Sequence, residues 1–149
     1  MDPEPRNFDE NNDRGRLTLL IADDDPVVRS MLSMGLEQRF EIVAAVEDAA
    51  QAVEAAAAGH PDAAVVDVDM PKGGGQRAVR GIVEASPETA IVVLSADEED
   101  AAVRELLQAG AMTYCRKGIA AHELAEAIER SVDVARQQGP AGAGVSAET

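Results

Sequence analysis

The sequence predicts an α/β protein built on a doubly wound, five-stranded parallel sheet with helices on both faces. Five short apolar runs alternate along the 149 residues with five segments in which apolar residues recur at helical spacing. The runs are rich in β-branched residues and too short for helices, which is typical of strands that are covered on both faces. Strict alternation of strands and helices favours parallel pairing, because each crossover is right-handed and lies over the sheet.

The first half of the chain is predicted to supply three strands and two helices. Pro26 lies where a first helical turn should begin, a position at which its missing N–H costs nothing. Val28, Leu32 and Leu36 follow four residues apart and indicate one apolar helix face, and Gly59 is a natural end for the second helix. The predicted elements are strands at 17–22, 41–46 and 63–67 and helices at about 26–39 and at 49–59.

The second half is predicted to supply two strands and three helices. A glycine loop at 73–75 precedes the third helix, which should stop near Ser86 because Pro87 follows. The acids at 97–100 can cap the start of the fourth helix, and Gly110 ends it. The predicted elements are strands at 90–95 and 112–116 and helices from the glycine loop to about 86, from the acidic run to 110, and at about 120–137.

Length and composition indicate one domain with two tails. We expect a disordered acidic segment at 1–15, the folded domain at 16–137, and a flexible tail or linker at 138–149. The single cysteine, Cys115, cannot form an internal disulfide, and no charged and then apolar leader opens the sequence. No apolar run approaches the roughly 20 residues that span a bilayer. These features predict a cytoplasmic protein with no membrane partner.

The charge balance is strongly acidic, with 28 Asp and Glu against 13 Lys and Arg and a net charge of −15. Residues 1–15 hold five of the acids and two arginines, and 138–149 hold one acid, so most of the negative charge belongs to the domain. This balance argues against direct nucleic-acid binding by this chain. A cation or a basic partner surface suits it better, although a solvated acidic surface is the plainer interpretation.

Polar residues that could carry chemistry follow four of the predicted strands. The first strand ends on Asp23 and Asp24, the third on Asp67, the fourth on Ser95, and the fifth leads to Lys117. In an open parallel sheet the carboxyl ends of the strands meet at one edge, where ligands bind. Three acids, one hydroxyl and one ammonium group are therefore expected to share a crevice.

This set of groups suits phosphoryl transfer to an aspartate. Crowded carboxylates raise one another's pKa unless a cation joins them, and hard oxygen ligands suit Mg²⁺, which prefers one or two protein carboxylates plus phosphate oxygens. A lysine and a serine can each meet a phosphoryl oxygen. A carboxylate can itself be the nucleophile and form an aspartyl phosphate.

Several short motifs, in the same order along about residues 17–137, resemble the receiver domain of bacterial two-component response regulators. They are Asp23-Asp24, Asp67 in VVDVDMP, Ser95 in VVLSA, and Tyr114 and Lys117 in GAMTYCRKG. The resemblance implies a flavodoxin-like (βα)5 fold with strand order 2-1-3-4-5. It also implies a signalling switch of a two-component system, with no separate substrate to turn over.

The resemblance assigns the phosphoacceptor and the metal ligands. Asp67 would take the phosphoryl group from a histidine kinase or a phosphotransfer protein. Asp24 and Asp67 would bind Mg²⁺, or Mn²⁺ in its place, through their side chains. Asp69 would bind the ion through its backbone carbonyl and Asp23 through water.

The remaining roles implied by the resemblance concern the response to phosphorylation. Lys117 and Ser95 would bind the phosphoryl group, and Ser95 and Tyr114 would move together as a switch pair. Asp69 and Asp97 match positions that tune the rate at which the phosphoryl group is lost to water. The surface of the fourth helix, fifth strand and fifth helix would then change for an output domain, a partner protein or a homodimer.

Two local features refine the resemblance. The phrase GIVEASPETAIVVLSA is similar to receivers fused to a LuxR/NarL-type helix-turn-helix. The tail that follows the last helix is too short for such a domain, so we expect either that the output domain is missing from this sequence or that the protein acts alone. Gly118 stands where most receivers have proline. Because a cis Lys-Gly bond costs about 2.5–4 kcal/mol, we predict a trans bond and a differently shaped loop.

Two other functions compete with the phosphorylation switch. Asp67-Val68-Asp69 also resembles the nucleophile and acid/base pair of haloacid-dehalogenase-type phosphatases, but Met70-Pro71 follows and that family does not call for the acidic pair on the first strand. A receiver-like module that binds partners without phosphorylation is the other alternative. The presence of the full set of motif residues argues against it.

Overall fold

The computed structural model describes residues 16–96 and 101–138 and confirms the predicted parallel sheet. The strands lie in the order β2-β1-β3-β4-β5, and each neighbouring pair is parallel. The strands are β1 (Leu17–Ala22), β2 (Phe40–Val46), β3 (Ala63–Asp67), β4 (Ala90–Ser95) and β5 (Thr113–Arg116). The helices that follow them are α1 (Pro26–Leu36), α2 (Ala49–Gly59), α3 (Gly74–Ala85), α4 (Ala101–Ala109) and α5 (Ala121–Gln138).

Two hydrophobic layers cover the sheet, one on each face. The layer made with α2, α3 and α4 packs on alternate strand residues such as Val66 and Val93, and the layer made with α1 and α5 packs on Val65 and Val92. Every residue of β3 is buried, which confirms that this strand is covered on both sides. None of the helices in the described part of the chain has the length and apolar character that crossing a bilayer requires.

The predicted first helix was too long by about one turn. Instead of running to residue 39, α1 ends at Leu36. The N–H of Arg39 donates to the carbonyl of Leu36, and the guanidinium of Arg16 donates to the carbonyls of Glu37 and Phe40. These bonds turn the chain into β2, which begins at the buried Phe40. The acidic run 97–100, predicted to open the fourth helix, lies outside the described residues.

The start of α3 depends on a close approach between two backbones. A Cβ atom on Gly75 would lie 2.5 Å from the carbonyl oxygen of Val68, in the loop that leaves β3. Gly75→Ala should therefore lower the free energy of unfolding by about 1–3 kcal/mol, as overpacking does, measured by urea denaturation. Gly59→Ala is the matched control, because a Cβ there meets nothing within 4 Å. Equal effects of the two substitutions would contradict the steric explanation.

Candidate functional site

The carboxyl ends of three strands bring Asp67 and Lys117 into direct contact beside Asp23. Asp67 ends β3 at the centre of the sheet and is 1% exposed. The ammonium Nζ of Lys117, one residue beyond β5, lies 2.9 Å from Oδ1 of Asp67. The same oxygen accepts a 2.9 Å hydrogen bond from the backbone N–H of Asp69, a residue that is exposed. The central carboxylate is thus buried, charge-paired and held in one orientation.

Asp23 is fully buried and only half satisfied. Its Oδ1 accepts a 2.9 Å hydrogen bond from the backbone N–H of Asp25, whereas Oδ2 has no hydrogen-bond partner among the described residues. Burial raises the pKa of Asp23, and the charges of Asp67 and Asp24 raise it further, against the lowering effects of the Asp25 N–H and the Lys117 charge. A buried carboxylate oxygen without a hydrogen-bond partner costs free energy, and a cation bound beside Oδ2 would offset that cost.

The three carboxylates fit a divalent cation. Asp23, Asp24 and Asp67 each offer an oxygen, and these oxygens lie within 4.8 Å of one another. Hard oxygen donors of this kind, with room for water, suit Mg²⁺. Asp24 is exposed while its two companions are buried, so the cluster opens to solvent on one side. Such an ion would offset the free-energy cost of burying the unpartnered Oδ2 of Asp23.

Lys117 is tied to the site through its backbone as well as its side chain. Its N–H donates to the carbonyl of Ser95 at 2.9 Å, which joins the ends of β5 and β4. Burial lowers the pKa of Lys117, but the hydrogen bond and charge of Asp67, with the charges of Asp23 and Asp69, outweigh that effect and leave the pKa raised. The side chain is 30% exposed, so a positive charge stands at the mouth of the crevice.

The bond between Lys117 and Gly118 is trans, as predicted. No peptide bond among residues 16–96 and 101–138 is cis. Gly118 has φ +90°, in the region that favours glycine, and the N–H of Ile119 donates to the carbonyl of Arg116 at 3.1 Å. The chain therefore reverses immediately after the lysine.

Ser95 and Tyr114 lie on neighbouring strands and on the same face of the sheet. Ser95 ends β4 and is buried, while Tyr114 of β5 pairs in register with Val93, two residues before Ser95. Tyr114 is half-buried and packs against the layer formed with α2, α3 and α4. Their coupled movement stays a prediction. Asp97 lies outside the described residues.

Two contributors to the site were not predicted from the sequence. The guanidinium of Arg29 donates to the backbone carbonyl of Asp23 at 2.7 Å. The backbone N–H of Asp25 donates to Asp23. The side chain of Asp25 also caps α1 by accepting hydrogen bonds from the N–H groups of Val27 and Val28. An acid directly before a helix is the usual local signal of a cap, from which the role of Asp25 at α1 could have been found. No pattern in the sequence separates Arg29 from an ordinary surface charge.

The family of the chain follows from its match to known proteins. The model of the family described as the response regulator receiver domain matches residues 19–129. This chain belongs to that family. Receiver domains bind Mg²⁺ at an acidic pocket, pair with histidine kinases and output domains, and are signalling proteins rather than conventional enzymes.

Individual relatives match about four fifths of this chain and differ in their own length. The chain is 32% identical over 116 residues to the chemotaxis protein CheY of Bacillus subtilis, with 77% of this chain and 97% of CheY covered. It is 31% identical over 124 residues to the transcriptional regulatory protein DegU of Brevibacillus brevis, with 82% of this chain and 52% of DegU covered. The solved receiver domain of NarL from Mycobacterium tuberculosis superposes with a TM-score of 0.73 at 26% identity, covering 79% of this chain and 97% of that one. The chain thus spans about half the length of several relatives that it matches.

Proposed function

We propose that this protein is a phosphorylation-controlled switch of a two-component system and that Asp67 is its phosphoacceptor. The observation that carries the proposal is the buried Asp67 carboxylate, held 2.9 Å from the Lys117 ammonium beside a second buried acid with an unpartnered oxygen. A buried carboxylate with a fixed cationic partner is suited to act as a nucleophile toward phosphorus. The crowding of acids around it suits a site that works with a bound cation.

In the proposed reaction a carboxylate oxygen of Asp67 attacks the phosphorus of a phosphohistidine on a histidine kinase or phosphotransfer protein. The P–N bond breaks, its electron pair returns to the imidazole nitrogen, and an acyl phosphate forms on Asp67. Asp24, Asp67 and the carbonyl of Asp69 would hold Mg²⁺ or Mn²⁺, with Asp23 reaching the ion through water. When bound, the ion would neutralise charge on the phosphoryl oxygens. Lys117 would exchange its ion pair with Asp67 for one with the new phosphoryl group.

The added charge would act through the residues around β4 and β5. Ser95 and Tyr114 share one face of the sheet at the side where α4 packs, so a movement of Ser95 toward the phosphoryl group would open space for Tyr114. The surface of α4, β5 and α5 would then have two states, and an output domain, a partner protein or a second copy would prefer one of them.

The direct test is phosphorylation by acetyl phosphate, in which the P–O bond to the acetyl group breaks and acetate leaves. Incubation with Mg²⁺ should add one phosphoryl group to the intact mass, and a chelator should suppress the addition. Absence of a mass increase in the presence of Mg²⁺ would overturn the proposal. Sustained turnover of p-nitrophenyl phosphate would instead favour a phosphatase of the haloacid-dehalogenase type.

Two acids are proposed to set the lifetime of the phosphoryl group. Asp69 is exposed two residues beyond Asp67, and Asp97 follows Ser95 by two residues in the sequence. An acid beside the acyl phosphate would act both on an incoming water and on the anion. Replacing each by Asn and timing the loss of the phosphoryl group tests this role, and unchanged rates in both variants would reject it.

An exposed apolar stripe on α1 suits contact with a protein donor. Val27, Met31 and Met34 are 64–67% exposed and recur at helical spacing. The stripe begins two residues after Asp25, whose N–H donates to Asp23 of the carboxylate cluster. Contiguous exposed apolar side chains mark interaction surfaces. A donor protein that approaches Asp67 from this side would cover the stripe.

Met31→Asp should leave phosphorylation by acetyl phosphate unchanged. It should slow phosphoryl transfer about tenfold when the donor is a histidine kinase that labels the wild-type chain, because charging a central apolar contact costs about 1–2 kcal/mol. The rates are measured by quenched gel assays with radiolabelled kinase. Val134→Asp is the control, because Val134 is an exposed apolar residue near the far end of α5. Equal slowing by both substitutions would contradict a specific role of the stripe.

A further inference from the structure

We propose that Gly118 is a positioning residue for phosphoryl transfer, because its backbone conformation is what keeps the Lys117 ammonium against Asp67. The inference rests on the proposed function, since the placement of this charge matters for activity only where Asp67 receives a phosphoryl group. It assigns a specific requirement to the position at which this chain departs from the usual receiver motif.

The residues from Arg116 to Ile119 form a tight turn of defined type. The N–H of Ile119 donates to the carbonyl of Arg116 at 3.1 Å, and Gly118, the third residue of the four, has φ +90°. This combination is the pattern of a type II β-turn, whose third residue has φ near +80° and is therefore usually glycine. Lys117 occupies the second position of the turn.

The turn fixes Lys117 from both ends. On one side its N–H donates to the carbonyl of Ser95 at 2.9 Å, which ties its backbone to the end of β4. On the other side the chain reverses at once toward α5, which begins at Ala121. The side chain leaves this fixed backbone and places Nζ 2.9 Å from Oδ1 of Asp67.

The requirement at position 118 is conformational and not one of space. A Cβ atom on Gly118 would meet nothing within 4 Å, so crowding does not explain the glycine. A residue that resists φ +90° would have to open the turn or shift its second residue, which is Lys117. A displacement of a catalytic group by about 1 Å can cost up to about a hundredfold in rate.

The test is a double-mutant cycle read by the initial rate of labelling with acetyl phosphate and Mg²⁺. Gly118→Ala should slow labelling of the wild-type background roughly tenfold, within the range that such misplacement produces. In the Lys117→Ala background, Gly118→Ala should have less than about a twofold further effect, because the group that it misplaces is already gone. Gly118→Asn should restore most of the rate, since asparagine tolerates positive φ.

Several outcomes would overturn the inference. They are equal slowing by Gly118→Ala in both backgrounds, labelling of Gly118→Ala at the wild-type rate, and a loss with Gly118→Asn as large as with Gly118→Ala. Gly59→Ala controls for the substitution itself and should label normally. Should Gly118→Ala not fold, as judged by circular dichroism, Gly118→Asn carries the test, and a loss as large as that of Lys117→Ala would then overturn the inference. A wild-type chain that takes no label would refute the proposed function instead.

Discussion

Asp67→Asn is expected to remain folded and to take up no phosphoryl group from acetyl phosphate in the presence of Mg²⁺. A neutral amide is a far weaker nucleophile toward phosphorus than a carboxylate and does not form a stable acyl phosphate. The substitution also removes the 2.9 Å ion pair with Lys117 from the crevice. Intact mass spectrometry gives the result directly, as the presence or absence of one added phosphoryl group.

Asp69→Asn is the matched control for that experiment. It makes the same chemical change two residues away, and the hydrogen bond that Asp69 gives to Asp67 comes from its backbone N–H, which the substitution keeps. Asp69→Asn should therefore still take up one phosphoryl group, whatever happens to the lifetime of that group. Label on Asp67→Asn, or none on Asp69→Asn, would contradict the assignment of Asp67 as the phosphoacceptor.

Asp23→Asn should stabilise the metal-free protein and remove its response to Mg²⁺. Asp23 is fully buried, its Oδ2 has no partner among the described residues, and Asp67 and Asp24 are close. Replacing this buried charge by an amide should raise the free energy of unfolding in chelator by about 1–3 kcal/mol, the usual cost of an unsatisfied buried polar group. Wild-type protein should gain about 2–3 kcal/mol from Mg²⁺ at a hundredfold excess over its Kd, and Asp23→Asn should gain little.

The difference between the two proteins should also depend on pH. The native pKa of Asp23 is raised above the value of 3.8 expected in the unfolded chain, so the native state takes up this proton first as the solution is acidified. The ionised carboxyl of Asp23 destabilises the folded protein at pH values above its raised native pKa. This destabilisation is lost as the pH falls through that pKa toward 3.8. In chelator, the stability advantage of Asp23→Asn should shrink over this window.

Urea unfolding over a pH series, with and without Mg²⁺, measures these effects. Asp133→Asn, at an exposed position of α5, removes a carboxylate of the same type outside the crevice and should change neither the metal response nor its pH dependence. Destabilisation of the metal-free protein by Asp23→Asn would contradict the view that this carboxylate is held without sufficient positive charge. An undiminished response to Mg²⁺ would remove Asp23 from the proposed metal site.

The class of fold could be predicted from the sequence because each strand carries its own signal. The run at 63–67 has no polar residue before Asp67 and is rich in valine, which is compatible with a strand buried on both faces and with little else. The end of α1 could not be predicted in the same way. It depends on Arg16, more than 20 residues away, which binds the carbonyls of the turn after the helix.

The candidate site shows the same division between local and long-range information. By itself the sequence determined the fold class, the strand ends, and the residue types that meet there, because a buried run followed by an acid is a local pattern. Only the tertiary structure decided that Asp23 is buried and half satisfied while Asp24 is exposed, and that Gly118 turns the chain behind Lys117. Three adjacent aspartates are chemically identical in the sequence, and their surroundings, contributed by β2, β3 and β5, are what make them differ.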